Sequence, residues 1–390
     1  MNAFNASAGD YMKIPVFKIS RVEIVPNLYH PPENPCWVAW CTLWSGERGP
    51  MLGMLHIFGD LNRPPPIMPP EFDRAFPNSF YNMTGLNKRQ RLFHVDARNI
   101  GPAGLQQVTE LDVPGMWNHA AFYCICRLRC GVTLAHRMHM DLADAAWKGR
   151  GACIARSYDD GLTWPAAQNV EIISPHVTGH LGRLWINRII ELRDGTVAAV
   201  GYGIQRGDEN EYYNVNSYLT TSSDHGQSWS APILIAPNEN GQVGLPEPAV
   251  AELSNGDLLV ICRAELKLEG PSLSYAPNGA PRRQVRVTKK AGRWMAGPVK
   301  LLDIPHGGQP ELRMTRQGVL LYISHEGVWA TVDDGDSWHR TTLPPAGYYP
   351  QSVQLDDGRI LAVGHRGNDY PYPPPEDMTV WGVIFQIDLA

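Results

Sequence analysis

Ionisable and aromatic side chains recur at a fixed offset from a repeated turn. Glu247 lies nine residues before Gly256, Gln309 nine before Gly318 and Tyr349 nine before Gly358. The same count back from Gly195 reaches Ile186, flanked by Trp185, Asn187 and Arg188. Seven residues beyond these glycines stand Tyr202, Arg263, His325 and His365. A purely structural core would put aliphatic residues at many of these places. Carboxylate, phenol and imidazole groups gathered at such places can hold a polar ligand or move protons. Arg188 and Arg263 could neutralise negative charge on a ligand. The competing reading makes Glu247 and Arg263 a strand-end ion pair, the tyrosines packing groups and the histidines satisfied core residues.

The elements that must position these groups repeat along the chain. One is an apolar run, a tight turn and a second apolar run, as in Ile189–Val197 around Asp194-Gly195, Val250–Leu259 around Asn255-Gly256 and Val353–Leu361 around Asp357-Gly358. Arg316-Gln317-Gly318-Val319 is a weaker copy. Asp-Gly and Asn-Gly between apolar runs are strong hairpin signals. The other element is Ser/Thr-x-Asp-x-Gly-x-Ser/Thr-Trp. It occurs at Ser157 to Trp164, Ser222 to Trp229 and Thr331 to Trp338, with a degenerate copy from Thr288 to Trp294. Its Asp and hydroxyls can bond the turn's own backbone, its Gly takes a conformation other residues resist, and its Trp can pack on a neighbouring sheet. These Asp residues therefore carry structure and not chemistry.

Together the two elements describe four-stranded antiparallel blades. The spacing predicts an all-β, six-bladed β-propeller, with seven the alternative count. The expected blades are 16–114, 115–176, 180–238, 243–303, 307–342 and 347–390, in one domain over 16–390 after an extension at 1–15. Radial repetition leaves few exposed strand edges. If the first strand of each blade descends, both kinds of turn lie at the bottom. The top then gathers the inner-strand heads and the loops 136–150, 203–214, 264–283 and 365–378. The first of these loops carries His136, and the second carries Asp208. In the second blade the inner strand is expected to start at Trp117-Asn118-His119, which brings His119 to the same end. Polar and aromatic groups converging on one concave end read as a ligand site.

Bulk properties narrow the classes. The chain has 390 residues, 43% of them hydrophobic and 19% charged, which fits a globular protein and not a disordered one. The net charge of −5 and the lack of a Lys/Arg block argue against a nucleic-acid partner. No apolar run is long enough for a membrane span, and the N-terminus lacks a secretory h-region, so a cytoplasmic location is expected. The seven cysteines are odd in number and read as reduced structural thiols. No ligand cluster or phosphate-cradling loop stands out, so neither metal nor organic cofactor is expected.

The thrice-repeated motif resembles the Asp box of the sialidase (neuraminidase) superfamily of β-propellers, over roughly 115–390. The resemblance implies a carbohydrate-active protein. That family uses a Tyr nucleophile activated by Glu, an Asp acid/base and three Arg residues on the sugar carboxylate. Pro246-Glu247-Pro248 resembles the family's Glu, Arg263 its second Arg, and Tyr348 or Tyr349 its nucleophile. Asp208 is the nearest choice for the acid/base. The first blade offers Cys36-Trp37-Val38-Ala39-Trp40 where an Arg is expected, and the fifth offers Gln309. An exo-acting hydrolase releasing a terminal sugar, acidic sugars included, is the leading expectation. A lyase or rhamnose-releasing enzyme acting at a uronic acid through His119, a nearby His such as His139 or His365, and Tyr349 is the second. A non-catalytic glycan- or protein-binding propeller is the third.

Overall fold

The turns close as their residues dictate. The Leu192 amide donates to the Thr196 carbonyl and the Gly195 amide to the Leu192 carbonyl. The same pair of bonds recurs at Leu253–Asp257, Thr315–Val319, Leu355–Arg359 and Leu128–Val132. In each tryptophan-bearing turn the hydroxyl and carboxylate bond the turn's backbone. Ser222 Oγ accepts from the Gly226 amide at 2.8 Å, and Asp224 accepts from the Ser228 amide at 2.9 Å. Equivalent bonds hold the turns of Ser157 and Thr331. The indoles pack inward. Trp164 stacks on Phe122 with centroids 4.5 Å apart, and Trp338 donates to Gln284 in the blade beside it.

The computed structural model describes residues 17–33, 36–59, 87–112, 122–137, 152–172, 184–204, 215–266, 280–305, 308–366 and 379–389. Six antiparallel sheets form the blades. The first is Cys36–Gly46, Gly49–Phe58, Asn87–Val95 and Leu105–Asp112. The second is Phe122–Arg127, Thr133–Arg137, Ala152–Ser157 and Val170–Ile172. The third is Trp185–Glu191, Val197–Ile204, Val215–Ser222 and Ile233–Ala236. The fourth is Ala249–Glu252, Leu258–Cys262, Arg283–Lys290 and Arg293–Ala296, with Lys300–Leu301 beside Arg283–Lys290. The fifth is Glu311–Met314, Leu320–Ser324, Gly327–Thr331 and His339–Arg340. The sixth is Tyr348–Gln354, Ile360–His365, Val380–Leu389 and, outermost, Phe17–Tyr29. The inner strands contact one another in turn, and the sixth returns to the first.

One boundary differs from expectation. Phe17–Tyr29 does not belong to the first blade. It pairs with Val380–Leu389, from Phe17 opposite Leu389 to Tyr29 opposite Val380. The N-terminal strand thus closes the ring by completing the last blade, a long-range pairing with no local signal. In the second blade the described part of the inner strand begins at Phe122. His119 lies outside the described residues.

The apolar core lies between blades. Val38 and Met54 of the first blade pack with Val363 and Ile384 of the last, and Leu134 and Ile154 of the second with Ile189 and Val197 of the third. Contacts between blades show which loops share an end. Asp160, in a tryptophan-bearing turn, accepts from the Glu47 amide in the first blade's hairpin turn, and Ser254 donates to Asp334. Both turn types therefore sit at the bottom. Among the described residues no helix is long and apolar enough to cross a membrane.

Candidate active site

Four of the inner strands break register close to their heads. In the first blade Ala39 faces Leu55 but Thr42 faces Gly53, which inserts one extra residue at Trp40-Cys41. The second blade does this at Cys124-Ile125, the third at Asn187 and the sixth at Tyr349-Pro350. Such bulges bend a strand and re-aim a side chain. Trp40, Cys124 and Tyr349 have φ of 45°, 54° and 49°, and Glu247, two residues ahead of its strand, has 49°. Non-glycine residues rarely adopt this region, and holding one there costs on the order of 1–3 kcal/mol. The neighbouring strand accommodates the last bulge with Gly364, where a Cβ would lie 2.7 Å from the Ala346 carbonyl.

The re-aimed residues meet at one cavity of about 800 Å³, open solvent at its mouth included. Its wall includes Trp40, Tyr123, His136, Trp185, Asn187, Arg188, Tyr202, Glu247, Gln309 and Tyr349, with at least one from every blade. At its polar side Tyr349 Oη donates to Glu247 Oε1 at 2.9 Å. Arg263 donates to the other oxygen, Oε2, at 2.8 Å and bridges to Glu265 at 2.5 Å. Glu265 is held by a short ladder between Glu265–Leu266 and Val243–Gly244. Arg188 lies on the cavity floor, 6% exposed, with its Nε 2.9 Å from Glu311. Its two terminal nitrogens donate to the carbonyls of Asn187, Pro310 and Pro350. The opposite side is aromatic. Trp185 and Tyr202 lie 5.6 Å apart, and Trp40 lies 6.2 Å from Tyr349 and 6.4 Å from Tyr123.

Burial sets the ionisation of the floor. It pushes the His136 pKa down to about 3, the Cys124 thiol up to about 12 and the Tyr123 phenol well above its ordinary value. His136 is therefore neutral near pH 7, and Cys124 is an unreactive thiol that donates to the Asn187 carbonyl at 2.7 Å. All seven cysteines are free, and Cys130 alone among them is exposed. Among the described residues no group of three or more His, Cys, Asp or Glu is placed to hold a metal ion.

The structure brings Glu247, Tyr349, Arg188 and Gln309 to one cavity, with Arg263 directly behind Glu247. Tyr348, His325 and His365 form a stack beside it. His325 is 4.1 Å from Tyr348, and His365 is 6.0 Å from Tyr348 and 5.7 Å from Tyr349. His365 is fully buried, so it backs Tyr349 and does not face the cavity mouth. Asp208 and His139 lie outside the described residues. The sequence reading missed Trp40 and Tyr123 as wall residues. It assigned His136 to a loop, whereas His136 lies in the strand Thr133–Arg137. Trp40 carried a signal, because it is an aromatic at the place in the first blade's inner strand that Tyr349 holds in the sixth. The bulges that aim these residues left none.

No family model and no curated protein matches the chain. Solved structures do share its fold. A protein of unknown function from Dyadobacter fermentans aligns with a TM-score of 0.63 at 15% identity, over 95% of this chain and 99% of that one. An α-L-arabinanase from Penicillium chrysogenum, complexed with arabinobiose, aligns at 0.58 and 13% identity, over 95% and 98%. The α-L-arabinofuranosidase Arb93A from Fusarium graminearum, with an iminosugar inhibitor, aligns at 0.54 and 12% identity, over 93% and 95%. At such identities the likeness is one of fold, and it covers the propeller from end to end.

Proposed function

We propose that this protein is a glycoside hydrolase that removes a terminal sugar from a glycan in the central bowl. One observation carries the reading: the hydrogen bond from Tyr349 to Glu247, set in the cavity where the inner strands converge. Glu247 accepts the phenolic proton as the Tyr349 oxygen attacks the anomeric carbon. The bond to the leaving oxygen breaks, and that oxygen takes a proton from an acid for which Asp208 remains the candidate. Water then attacks, giving a proton to the carboxylate that the acid has become, the sugar–tyrosine bond breaks, and Glu247 returns the phenol its proton, so the sugar leaves with retained configuration. Tyr349 is 8% exposed and Glu247 9%, as suits groups shielded from bulk water. The arabinanase and arabinofuranosidase of the same fold support a carbohydrate substrate.

The lyase reading needs a free cation to neutralise a uronate. Arg188 and Arg263 are both engaged by carboxylates, which weakens it. The test is a panel of oligosaccharides with different terminal sugars, read by mass and by absorbance near 235 nm. Gain of one water with release of a single sugar is the expected result. An unsaturated product would mean a lyase. Binding without turnover across the panel would mean a binding module.

A further inference from the structure

The arginines at the cavity already have protein partners. Arg188 has its Nε on Glu311 and its other nitrogens on three backbone carbonyls. Arg263 bridges Glu247 and Glu265. Arg282, of the same blade, is fully buried against the Tyr322 ring, donates to the Gly308 carbonyl and does not line the cavity. Among the described residues, then, each wall cation already faces a carboxylate, and the wall carboxylate, Glu247, is itself matched by Arg263. Among the described wall residues, a sugar carboxylate entering here would lose its water and meet Glu247, with no unmatched positive charge in return.

Two other groups on the wall are not fully satisfied by the protein. His136 is 1% exposed, and its ring has no partner beyond the Cys153 backbone. Asn187 is 9% exposed, and its Oδ1 has none. Leaving a buried polar atom unpaired costs about 1–3 kcal/mol, and native proteins rarely do so without a ligand or water to fill the place. A neutral imidazole presents one donor and one acceptor, and an amide oxygen accepts. A sugar hydroxyl, which both donates and accepts, matches either. The aromatic side supplies faces for the apolar side of a sugar ring.

We infer that the bowl selects an uncharged terminal sugar, with Asn187 and His136 as hydroxyl-binding residues and the Trp185, Tyr202 and Trp40 rings as its apolar wall. The inference rests on the hydrolase reading of the same cavity and narrows its substrate class. A tyrosine nucleophile remains compatible, since its tolerance of an anionic sugar is simply unused.

The test uses matched disaccharide pairs that differ only in the terminal sugar, a neutral hexose in one and its C6-oxidised uronic acid in the other, together with pentose-terminated and sialylated disaccharides. Turnover is read by mass, and binding by the imidazole ¹⁵N resonances of His136. A neutral member is expected to react, with its acidic partner at least tenfold poorer, and its binding to shift the His136 resonances. Asn187→Ala is expected to raise KM for the neutral substrate about tenfold with kcat changed much less. Preferred turnover of the uronic or sialic members would overturn the inference and leave the hydrolase reading standing. Binding of neutral members without turnover would uphold the sugar class and overturn the hydrolase. Failure of every member to bind or react would overturn both.

Discussion

The two ends of the propeller use the same uncommon backbone conformation in opposite ways. At the turn end, Asp160, His225 and Asp334 have φ of 64°, 58° and 57°, each followed by a glycine between 81° and 90°. Their neighbours two to four residues away supply the hydrogen bonds that hold them. At the bowl end, Trp40, Cys124, Glu247 and Tyr349 occupy the same region. There the partners lie far along the chain, as with Tyr349 on Glu247 and Cys124 on the Asn187 carbonyl. Residues of the first group suit their conformation, and residues of the second are held in it by the fold. Strain maintained at such distance is characteristic of functional sites.

This contrast can be broken by substitutions with separable effects. The largest is expected from Tyr349→Phe. It removes the phenolic oxygen but keeps the ring that packs near Trp40, so kcat should fall by about 10²–10⁴-fold. Loss of one hydrogen bond should move Tm by no more than about 4 °C. Glu247→Gln should lose comparable activity but also stability, because Arg263 forfeits a buried partner. Activity unaffected by Tyr349→Phe would remove the bowl's claim to chemistry.

At the turn end the pattern should invert. Gly335 has φ of 86°, and a Cβ there would lie 2.6 Å from Leu259 Cδ2. Gly335→Ala should therefore cost about 2–3 kcal/mol, read as a lower Tm, with kcat unchanged where the protein stays folded.

The smallest effect is a pH dependence. Burial opposes ionisation of Asp224, but hydrogen bonds from Ser228, Ser222 and the backbone outweigh it and hold the carboxyl down to about 2. Asp159 and Asp333 are lowered by the same balance. A depressed folded pKa contributes stability that is complete above the unfolded value of about 4 and lost as pH falls through the folded value. Stability should thus decline between about pH 4 and pH 2. An Asp224→Ala chain should start lower and lose less over that window in denaturant titrations.

The same contrast explains what the sequence disclosed. The tryptophan-bearing turns were legible because a few neighbouring side chains determine each one, and with them came the blades and the end where the strand heads gather. Glu247, Gln309 and Tyr349 could be placed because their distance from a turn glycine is a strand length. The bulges were not legible. They arise where inner strands crowd round an axis, and nothing local to Ala39-Trp40-Cys41 or Tyr349-Pro350 encodes an extra residue. The pairing of Phe17–Tyr29 with Val380–Leu389 joins the two ends of the chain and was equally hidden. His136 escaped because burial within the second blade, and not its sequence neighbours, makes it part of the floor.

The central claim is that ligand and chemistry belong to the bowl. It is tested most directly by a crystal structure of the Tyr349→Phe chain soaked with the oligosaccharide that the substrate panel selects. The terminal sugar should lie against Glu247, with its ring on Trp185 or Trp40 and its hydroxyls toward Asn187. A sugar seated among the tryptophan-bearing turns, with the bowl empty, would contradict the account.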